Sequence, residues 1–184
     1  VRMAAGPEVE LFIDANCSLD LYHARQLCQM IEPFRIEFFE EPITQNDVRQ
    51  LSELRSQTTI RLACGQNEGQ AYRFRDMMIA GAVDIIQPNV AITGGFTQCQ
   101  KIAALANSFN ISVDNGGAWP FFNQHLQAGL SNGGLVEYHY SSVEVCKRLY
   151  TGLPEPKQGW LTMTDAPGLG FELNTAALSH FEID

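Results

Sequence analysis

Several features that mark specialised classes of protein are missing from this 184-residue sequence. It contains no apolar run close to the roughly 20 residues that a membrane-spanning helix needs. Its first residues, Val-Arg-Met-Ala-Ala-Gly-Pro, lack the charged head and apolar stretch of a secretory signal. They are instead typical of the last turn of a helix, closed by Gly6 and Pro7. We therefore expect no membrane partner, and a chain that does not start at a natural N-terminus.

Paired cysteines and basic charge are lacking as well. The cysteines are odd in number, widely spaced and without a C-x-x-C motif, so they predict reduced core thiols of a cytoplasmic protein. They are Cys17, Cys28, Cys64, Cys99 and Cys146. The formal net charge of −9 argues against a nucleic-acid partner, because proteins that bind nucleic acid carry a basic surface.

What the sequence does contain is a series of short apolar strands, each followed by an amphipathic stretch. The apolar spacing predicts helices after the strands, for example at Leu21–Ile31, after an N-cap at Asn46, and at Phe96–Ser108. The predicted strands are Val9–Asp14, Arg35–Glu40, Ile60–Cys64, Asp84–Gln87, Asn110–Val113 and Leu135–Tyr138. Strands that alternate with helices in this way predict parallel βαβ units.

Two α/β architectures suit such units: a doubly wound open sheet and a (β/α)8 barrel. No Gly-rich dinucleotide fingerprint follows the first strand, which weakens the first alternative. A full barrel usually needs about 250 residues and eight units, whereas this sequence offers about six. We therefore predict a partial TIM-like barrel that lacks its first strands. Residues 141–158 are expected to be irregular, and Trp160–Leu173, with its Pro-Gly-Leu-Gly turn, to form a closing element.

Polar residues gather at the carboxyl ends of the predicted strands, where barrel enzymes place their chemistry. They are Asp14 and Asn16, Glu40 and Glu41, Gln66 and Glu68, and Asn89. Parallel neighbours lie about 5 Å apart, so oxygens at the same height on three strands converge. Three such oxygens suit Mg²⁺, although Asp and Asn also serve as helix caps and loop acceptors.

Three of these segments resemble the metal-ligand strands of the mandelate racemase branch of the enolase superfamily. They are Ile13-Asp14-Ala15-Asn16, Phe39-Glu40-Glu41-Pro42 and Gly65-Gln66-Asn67-Glu68. Further similar motifs follow in order: Gln87-Pro88-Asn89, Gly94-Gly95-Phe96-Thr97, Val136-Glu137-Tyr138 and Pro167-Gly168-Leu169-Gly170. The likeness covers almost the whole chain. It implies that residues 1–184 are the C-terminal part of an enolase-type barrel, with 140–184 as the closing segment and with no N-terminal capping domain.

By this resemblance Asp14 and Glu40 are metal ligands for Mg²⁺, and Gln66 takes the third ligand position. Glu68, two residues further on, is the alternative third ligand. Glu137 is the acid that hydrogen-bonds the substrate carboxylate or enolate. The family abstracts a proton α to a carboxylate, and Mg²⁺ stabilises the charge that develops.

The sequence departs from the family pattern at three places. Gln66 stands where the family normally has Glu, which removes one negative charge from the metal site. Asn89 replaces an Asp that often orients a catalytic His, and no His occupies the next strand end. Asp114 is present there as a base or, more simply, as a loop cap. The family's Lys-x-Lys base would lie before Val1, and Lys101, Lys147 and Lys157 are at no strand end.

The resemblance implies an enolate-forming lyase or isomerase that acts on a hydroxy-carboxylate, above all an acid-sugar dehydratase. A racemase or cycloisomerase of the same superfamily is the closest alternative, and a barrel that has lost its metal and its activity is another. Two open strand edges predict a homo-oligomer, or an insoluble chain when these residues are expressed alone.

Overall fold

A single parallel sheet organises the part of the chain that the computed structural model describes, residues 1–180. Its six strands are hydrogen-bonded in sequence order, from the first to the sixth. They are β1 (Leu11–Asp14), β2 (Ile36–Glu40), β3 (Arg61–Cys64), β4 (Ile85–Ile86), β5 (Ser112–Asn115) and β6 (Gly133–Val136). All five pairings are parallel, as the strand–helix alternation predicted.

Helices connect these strands and flank the sheet. They are α1 (Arg2–Ala5), α2 (Leu21–Ile31), α3 (Val48–Arg55), α4 (Ala71–Ile79), α5 (Phe96–Ser108), α6 (Pro120–Ala128), α7 (Tyr140–Leu149) and α8 (Thr175–Leu178). The predicted cap of α3 was wrong by one residue. Asp47 accepts the backbone N–H of Gln50 at 2.9 Å, whereas Asn46 is buried and turns its amide to Glu41.

The central strands are buried on both faces, and the helices cover only one of them. Phe39, Leu62 and Ile86 belong to the large core that includes buried residues of α2, α3, α4 and α5. Their neighbours Phe38, Ala63 and Ile85 form a separate small cluster, because alternate strand residues point to opposite faces. The sheet is curved, and this second face is its concave side. In a doubly wound sheet, further helices would cover this face.

The curl is visible in one cavity of about 380 Å³ that residues from both ends of the sheet line. Ile13 of β1 and Val136 of β6 lie on its walls, although those strands are five positions apart in the sheet. The predicted partial barrel with about six βα units is therefore confirmed as a half-barrel. Within residues 1–180, β1 and β6 each have one neighbouring strand.

The C-terminal part of the chain is more regular than predicted. The expectation of irregular structure over 141–158 was wrong, because α7 occupies its first half and buries Val143 and Cys146 beside Phe121. Strands β7 (Tyr150–Thr151) and β8 (Glu172–Leu173) then pair antiparallel. The predicted tight turn is present, with the N–H of Gly170 bonded to the carbonyl of Pro167 at 3.3 Å. The final four residues of the predicted closing segment lie outside the described residues.

No helix among residues 1–180 is both long and apolar enough to cross a bilayer.

Candidate active site

The carboxylates of Asp14 and Glu40 stand side by side at the carboxyl ends of two neighbouring strands. β1 and β2 pair with Asp14 opposite Glu40, which sets both side chains at the same height. Two residues earlier on the same face, the rings of Phe12 and Phe38 lie 4.6 Å apart and form a floor beneath the two acids. The structure thus brings together the first two residues of the predicted ligand set.

Negative charge accumulates around Glu40 without a basic side chain to balance it. Burial raises the pKa of the Glu40 carboxyl to about 8, and the nearby carboxylates of Asp14, Glu137 and Glu41 add to the rise. A hydrogen bond from Gln87 opposes that rise in part. A largely buried carboxyl among like charges, as at Glu40, is the environment that a bound cation would relieve.

Gln66 reaches the same place from the turn that follows β3. Gly65 makes that turn possible, because its φ is +125° and a Cβ there would lie 2.5 Å from the Phe74 ring. The amide of Gln66 is buried, and its Nε2 lies 3.5 Å from Asp14 Oδ2 and 3.3 Å from Glu41 Oε2. Gln66 is therefore adjacent to the Asp14 carboxylate.

Glu68, the alternative third ligand, is directed elsewhere. Its carboxylate is paired with Arg73, at 3.0 Å from Nε and 3.2 Å from Nη2, and it also accepts from the amide of Asn46 at 3.3 Å. Of the two candidates, only Gln66 has a side-chain contact with Asp14.

Glu137 faces the paired acids from the opposite wall. It follows β6 and lines the same cavity as Asp14 and Glu40. Its Oε2 accepts the backbone N–H of Ala118 at 2.7 Å, and its own N–H donates to Asn115 Oδ1 at 3.2 Å. The carboxylate is thus fixed across the cavity from the two strand-end acids.

Asp114 lies within β5 rather than in the loop after it, because the strand runs two residues further than predicted. β6 likewise begins earlier, and one residue of β5 faces two of β6 at this point, so the backbone ladder is interrupted. Asp114 Oδ1 fills the gap by accepting the N–H of Leu135 at 2.8 Å, and Gly134 leaves room for it. Burial raises the pKa of Asp114, and the Leu135 N–H and Arg61 oppose that rise. This geometry is that of a cap.

Three further residues shape the site, although no ligand or catalytic role was predicted for them. Gln87 is two residues beyond Ile85 on the inner face, so strand alternation could have placed it beside Glu40. Gly116 leaves space for the side chains of Glu40 and Gln87, since a Cβ there would lie 2.7 Å from Glu40 Oε1 and 2.8 Å from Gln87 Nε2. Glu41 is fully buried directly behind Gln66, and nothing in the local sequence indicates this.

Asn89, which the sequence marks as a departure from the family, is the centre of a buried network. Its Nδ2 lies 2.8 to 3.1 Å from the carbonyl oxygens of Gly116, Gly117 and Ala118. Its Oδ1 accepts from the N–H of Ala91 and from the amide of Asn123. The amide holds the loop between β5 and α6, which in turn supplies the N–H that binds Glu137.

The oxygen donors at this site suit Mg²⁺. No group of three His, Cys, Asp or Glu side chains able to hold a metal occurs within residues 1–180. Two carboxylates and one amide do converge, and a hard cation takes ligands of both kinds. The excess negative charge around Glu40 favours a cation as well. No Lys or His is among the residues that line the cavity.

The sequence pattern of a protein family described as enolase C-terminal domain-like matches residues 1–177. Among curated relatives, D-gluconate dehydratase of Thermoproteus tenax is 29% identical over 189 residues, covering all of this chain and 38% of that protein. D-galactarolactone cycloisomerase of Agrobacterium fabrum is 29% identical over 195 residues, covering all of this chain and 52% of that protein. The chain thus spans about half the length, or less, of the curated relatives it matches.

Solved structures give the same picture. L-talarate dehydratase from Polaromonas sp. JS666, crystallised with Mg and L-glucarate, superposes with a TM-score of 0.88 at 27% identity. The 3,6-anhydro-D-galactonate cycloisomerase from Zobellia galactanivorans superposes with a TM-score of 0.89 at 29% identity. Each match covers 97% of this chain, and 48% and 52% of the two structures respectively.

Proposed function

The chain belongs to the enolase C-terminal domain-like family, and on that premise we propose that it carries part of the active site of a Mg²⁺-dependent, enolate-forming lyase. The observation that carries this proposal is the pairing of Asp14 and Glu40 opposite Glu137 around one cavity, with the amide of Gln66 beside Asp14. The substrate class is a hydroxy-carboxylate, in the first place a sugar acid. Relatives named gluconate dehydratase and talarate dehydratase support that choice.

In this proposal Asp14, Glu40 and Gln66 hold Mg²⁺ through their side-chain oxygens. When bound, the ion supplies positive charge beside the substrate carboxylate, which makes the neighbouring α-proton more acidic. Glu137 hydrogen-bonds the carboxylate end of the substrate from the opposite wall, where the Ala118 N–H keeps its side chain in place.

In this proposal the general base does not belong to the residues that line the cavity. Asp114 is the only unassigned acid there, and its Oδ1 is engaged by Leu135. We propose that the base is a lysine from a part of the protein that precedes Val1. In a dehydratase, this base would take the α-proton, and a β-hydroxyl that receives a proton from a general acid would leave as water. The resulting enol would become a 2-keto acid.

A cycloisomerase is the second candidate, and relatives with that name favour it. The same metal site and the same enolate chemistry would serve both reactions. A racemase is harder to build here, because two-base racemisation needs a second base and no His lines the cavity. A catalytically inactive barrel that has lost its metal is the alternative from a different functional class. The neutral side chain of Gln66 favours this alternative.

Calorimetric titration of Mg²⁺ into the natural full-length protein, with Gln66→Glu and Glu68→Gln as variants, tests the proposal. Binding by the wild type that tightens in Gln66→Glu, and that Glu68→Gln leaves unchanged, is the expected result. No binding by the wild type together with binding by Gln66→Glu would indicate a site that has lost its metal. Equal binding by the wild type and Gln66→Glu, with weaker binding by Glu68→Gln, would assign the third ligand to Glu68.

Activity is tested separately with a panel of sugar acids that includes D-gluconate, by following formation of a 2-keto acid. The dehydratase assignment predicts product with at least one member of the panel. Loss of that product in Asp14→Asn and in Glu137→Gln would support their assigned roles. Conversion of a lactone without loss of water would instead favour the cycloisomerase.

A further inference from the structure

Glu41 is a buried carboxylate that no basic side chain accompanies. It is 0% exposed, and its backbone adopts a left-handed conformation with φ of +40°. No Lys, Arg or His forms an ion pair with it among residues 1–180. Burial of a charge is costly unless hydrogen bonds compensate it, so packing alone would favour a neutral residue at this position.

Four neutral donors surround this carboxylate instead. Glu41 Oε1 accepts from Asn46 Nδ2 at 3.0 Å, and Oε2 accepts from Asn67 Nδ2 at 2.5 Å. Oε2 also accepts from Gln66 Nε2 at 3.3 Å and from the thiol of Cys17 at 3.4 Å. Because each donor is uncharged, the negative charge of Glu41 is held in place without being cancelled.

Gln66 connects this charge to the metal site. A carboxylate that accepts from an amide N–H draws electron density toward the amide oxygen, as outer partners of metal ligands commonly do. Gln66 Nε2 lies 3.3 Å from Glu41 Oε2 and 3.5 Å from Asp14 Oδ2. With a cation beside Asp14, the bond to Glu41 would keep the nitrogen while the amide oxygen turns toward the cation.

The charge count supports the same connection. Asp14 and Glu40 supply two carboxylates at the proposed ligand positions, and Gln66 supplies none. Glu41 brings another carboxylate to within hydrogen-bonding distance of the neutral Gln66. Glu41 therefore adds to the carboxylates of Asp14, Glu40 and Glu137 around the site, although it is at none of the proposed ligand positions.

We infer that Glu41 is a positioning residue that orients and polarises Gln66, so that an amide can serve as the third metal ligand. This inference rests on the proposed function, because it presupposes that Gln66 takes part in binding Mg²⁺. It assigns to Glu41 an effect on metal affinity that acts through one hydrogen bond, rather than a contact with metal or substrate.

The test is Mg²⁺ calorimetry on the natural full-length protein with Glu41→Gln, supported by thermal unfolding in the absence of metal. The shape of the side chain is kept, and Asn46 can turn its unpartnered Oδ1 toward the new amide. We expect the Mg²⁺ affinity to fall about tenfold or more, as is typical when an outer partner of a ligand is lost. The matched control is Glu68→Gln, which removes a nearby negative charge that does not contact Gln66.

The exchange variant Glu41→Gln with Gln66→Glu separates the hydrogen bond from the charge. It keeps one carboxylate and one amide in the pair, so we expect affinity at least equal to that of the wild type. If Glu41→Gln does not fold, the same question is answered in the Gln66→Glu background. There Glu41 faces a carboxylate instead of a donor, so adding Glu41→Gln should not weaken binding.

Several results would overturn the inference. One is unchanged affinity in Glu41→Gln while the wild type binds Mg²⁺, which would leave the proposed function intact. Another is an equal loss in Glu41→Gln and Glu68→Gln, which would reveal a general effect of charge. A third is an equal loss from Glu41→Gln in both backgrounds. If the wild type binds no Mg²⁺, the proposed metal site fails and this inference fails with it.

Discussion

Adding one methyl group at Gly116 tests whether the cation lies where the strand-end oxygens converge. A Cβ at this position would lie 2.7 Å from Glu40 Oε1, 2.8 Å from Gln87 Nε2 and 3.1 Å from Gln66 Cβ. The φ of Gly116 is not in the left-handed region, so alanine is allowed by the backbone. The substitution therefore acts through the side chains around it rather than through backbone strain.

The size of the effect follows from these distances. Comfortable contacts of carbon with other heavy atoms begin near 3.5 Å, so two of the three neighbours must retreat by roughly 0.7 Å. Mg²⁺ requires ligands at about 2.0–2.1 Å in nearly octahedral geometry, so it tolerates such a shift of Glu40 poorly. We expect Mg²⁺ affinity to fall by at least about tenfold, or roughly 1.4 kcal/mol. Overpacking should also cost about 1–3 kcal/mol of unfolding free energy.

Calorimetry with Mg²⁺ and chemical denaturation measure the two effects on the same samples. Gly69→Ala is the matched control, because a Cβ there meets no heavy atom within 4 Å and its φ is not left-handed. That variant should bind and unfold like the wild type. Wild-type Mg²⁺ affinity in a destabilised Gly116→Ala protein would refute the reasoning, since the ion would then not depend on the position of Glu40.

Three other changes give further tests. Asp114→Asn keeps the acceptor for the Leu135 N–H; because burial raises the pKa of Asp114, the charged form costs stability at high pH. The variant should therefore have a higher melting temperature than the wild type at pH 8. This gain should vanish as the pH falls to about 4, where aspartate in the unfolded chain becomes protonated. A gain in melting temperature that does not depend on pH would contradict this. Asn89→Asp sets a carboxylate against three carbonyl oxygens. Its unfolding free energy, measured in urea, should fall by on the order of 3 kcal/mol. Asn107→Asp, at an exposed position, is the control, and equal losses in the two variants would refute the donor role assigned to Asn89. The 184-residue chain expressed alone should be insoluble or should elute as an oligomer from a sizing column. The reason is that β1 and β6 each have a free edge within residues 1–180, and Phe12 is 41% exposed. A soluble monomer that unfolds cooperatively would contradict this.

Asp14 and Glu40 could be predicted to meet because two simple rules apply to them. Each ends a short apolar strand, and consecutive parallel strands bring their carboxyl ends to one edge. The register of β1 with β2 meets both conditions without a shift at this end. For these two residues, local pattern and tertiary structure carry the same information.

The choice between Gln66 and Glu68 could not be made from alternation, because the strand has already ended there. Gly65, with a φ of +125°, turns the chain out of extended geometry, so residue parity no longer predicts direction. What removes Glu68 from the cavity is its pairing with Arg73, a residue of the following helix. The sequence contains both residues but does not state that they pair.

The strand position of Asp114 and the presence of helix α7 were not predicted, for a related reason. The bulge between β5 and β6 shifts the pairing, and a shift of one residue changes which side chain faces the cavity. Helix α7 is largely polar, so its sequence reads as a loop until the pocket that receives Val143 and Cys146 is known. Both outcomes depend on partners that are distant in the chain.

Gln66 and Asn89 bear most directly on whether the barrel is active or inactive, because each is an amide where the family pattern has an acid. If these replacements reflected only loss of function, the neighbouring groups would not be expected to match an N–H donor at those positions. Yet the nitrogen of Asn89 faces three carbonyl oxygens, and the nitrogen of Gln66 faces the carboxylate of Glu41. An ionised acid at either position would face these same oxygens without an N–H to donate, whereas the amide donates a hydrogen bond to them. The two amides are thus matched to their neighbours, which favours a rearranged working site over an abandoned one, and the affinity of Glu41→Gln for Mg²⁺ decides whether that match serves the metal.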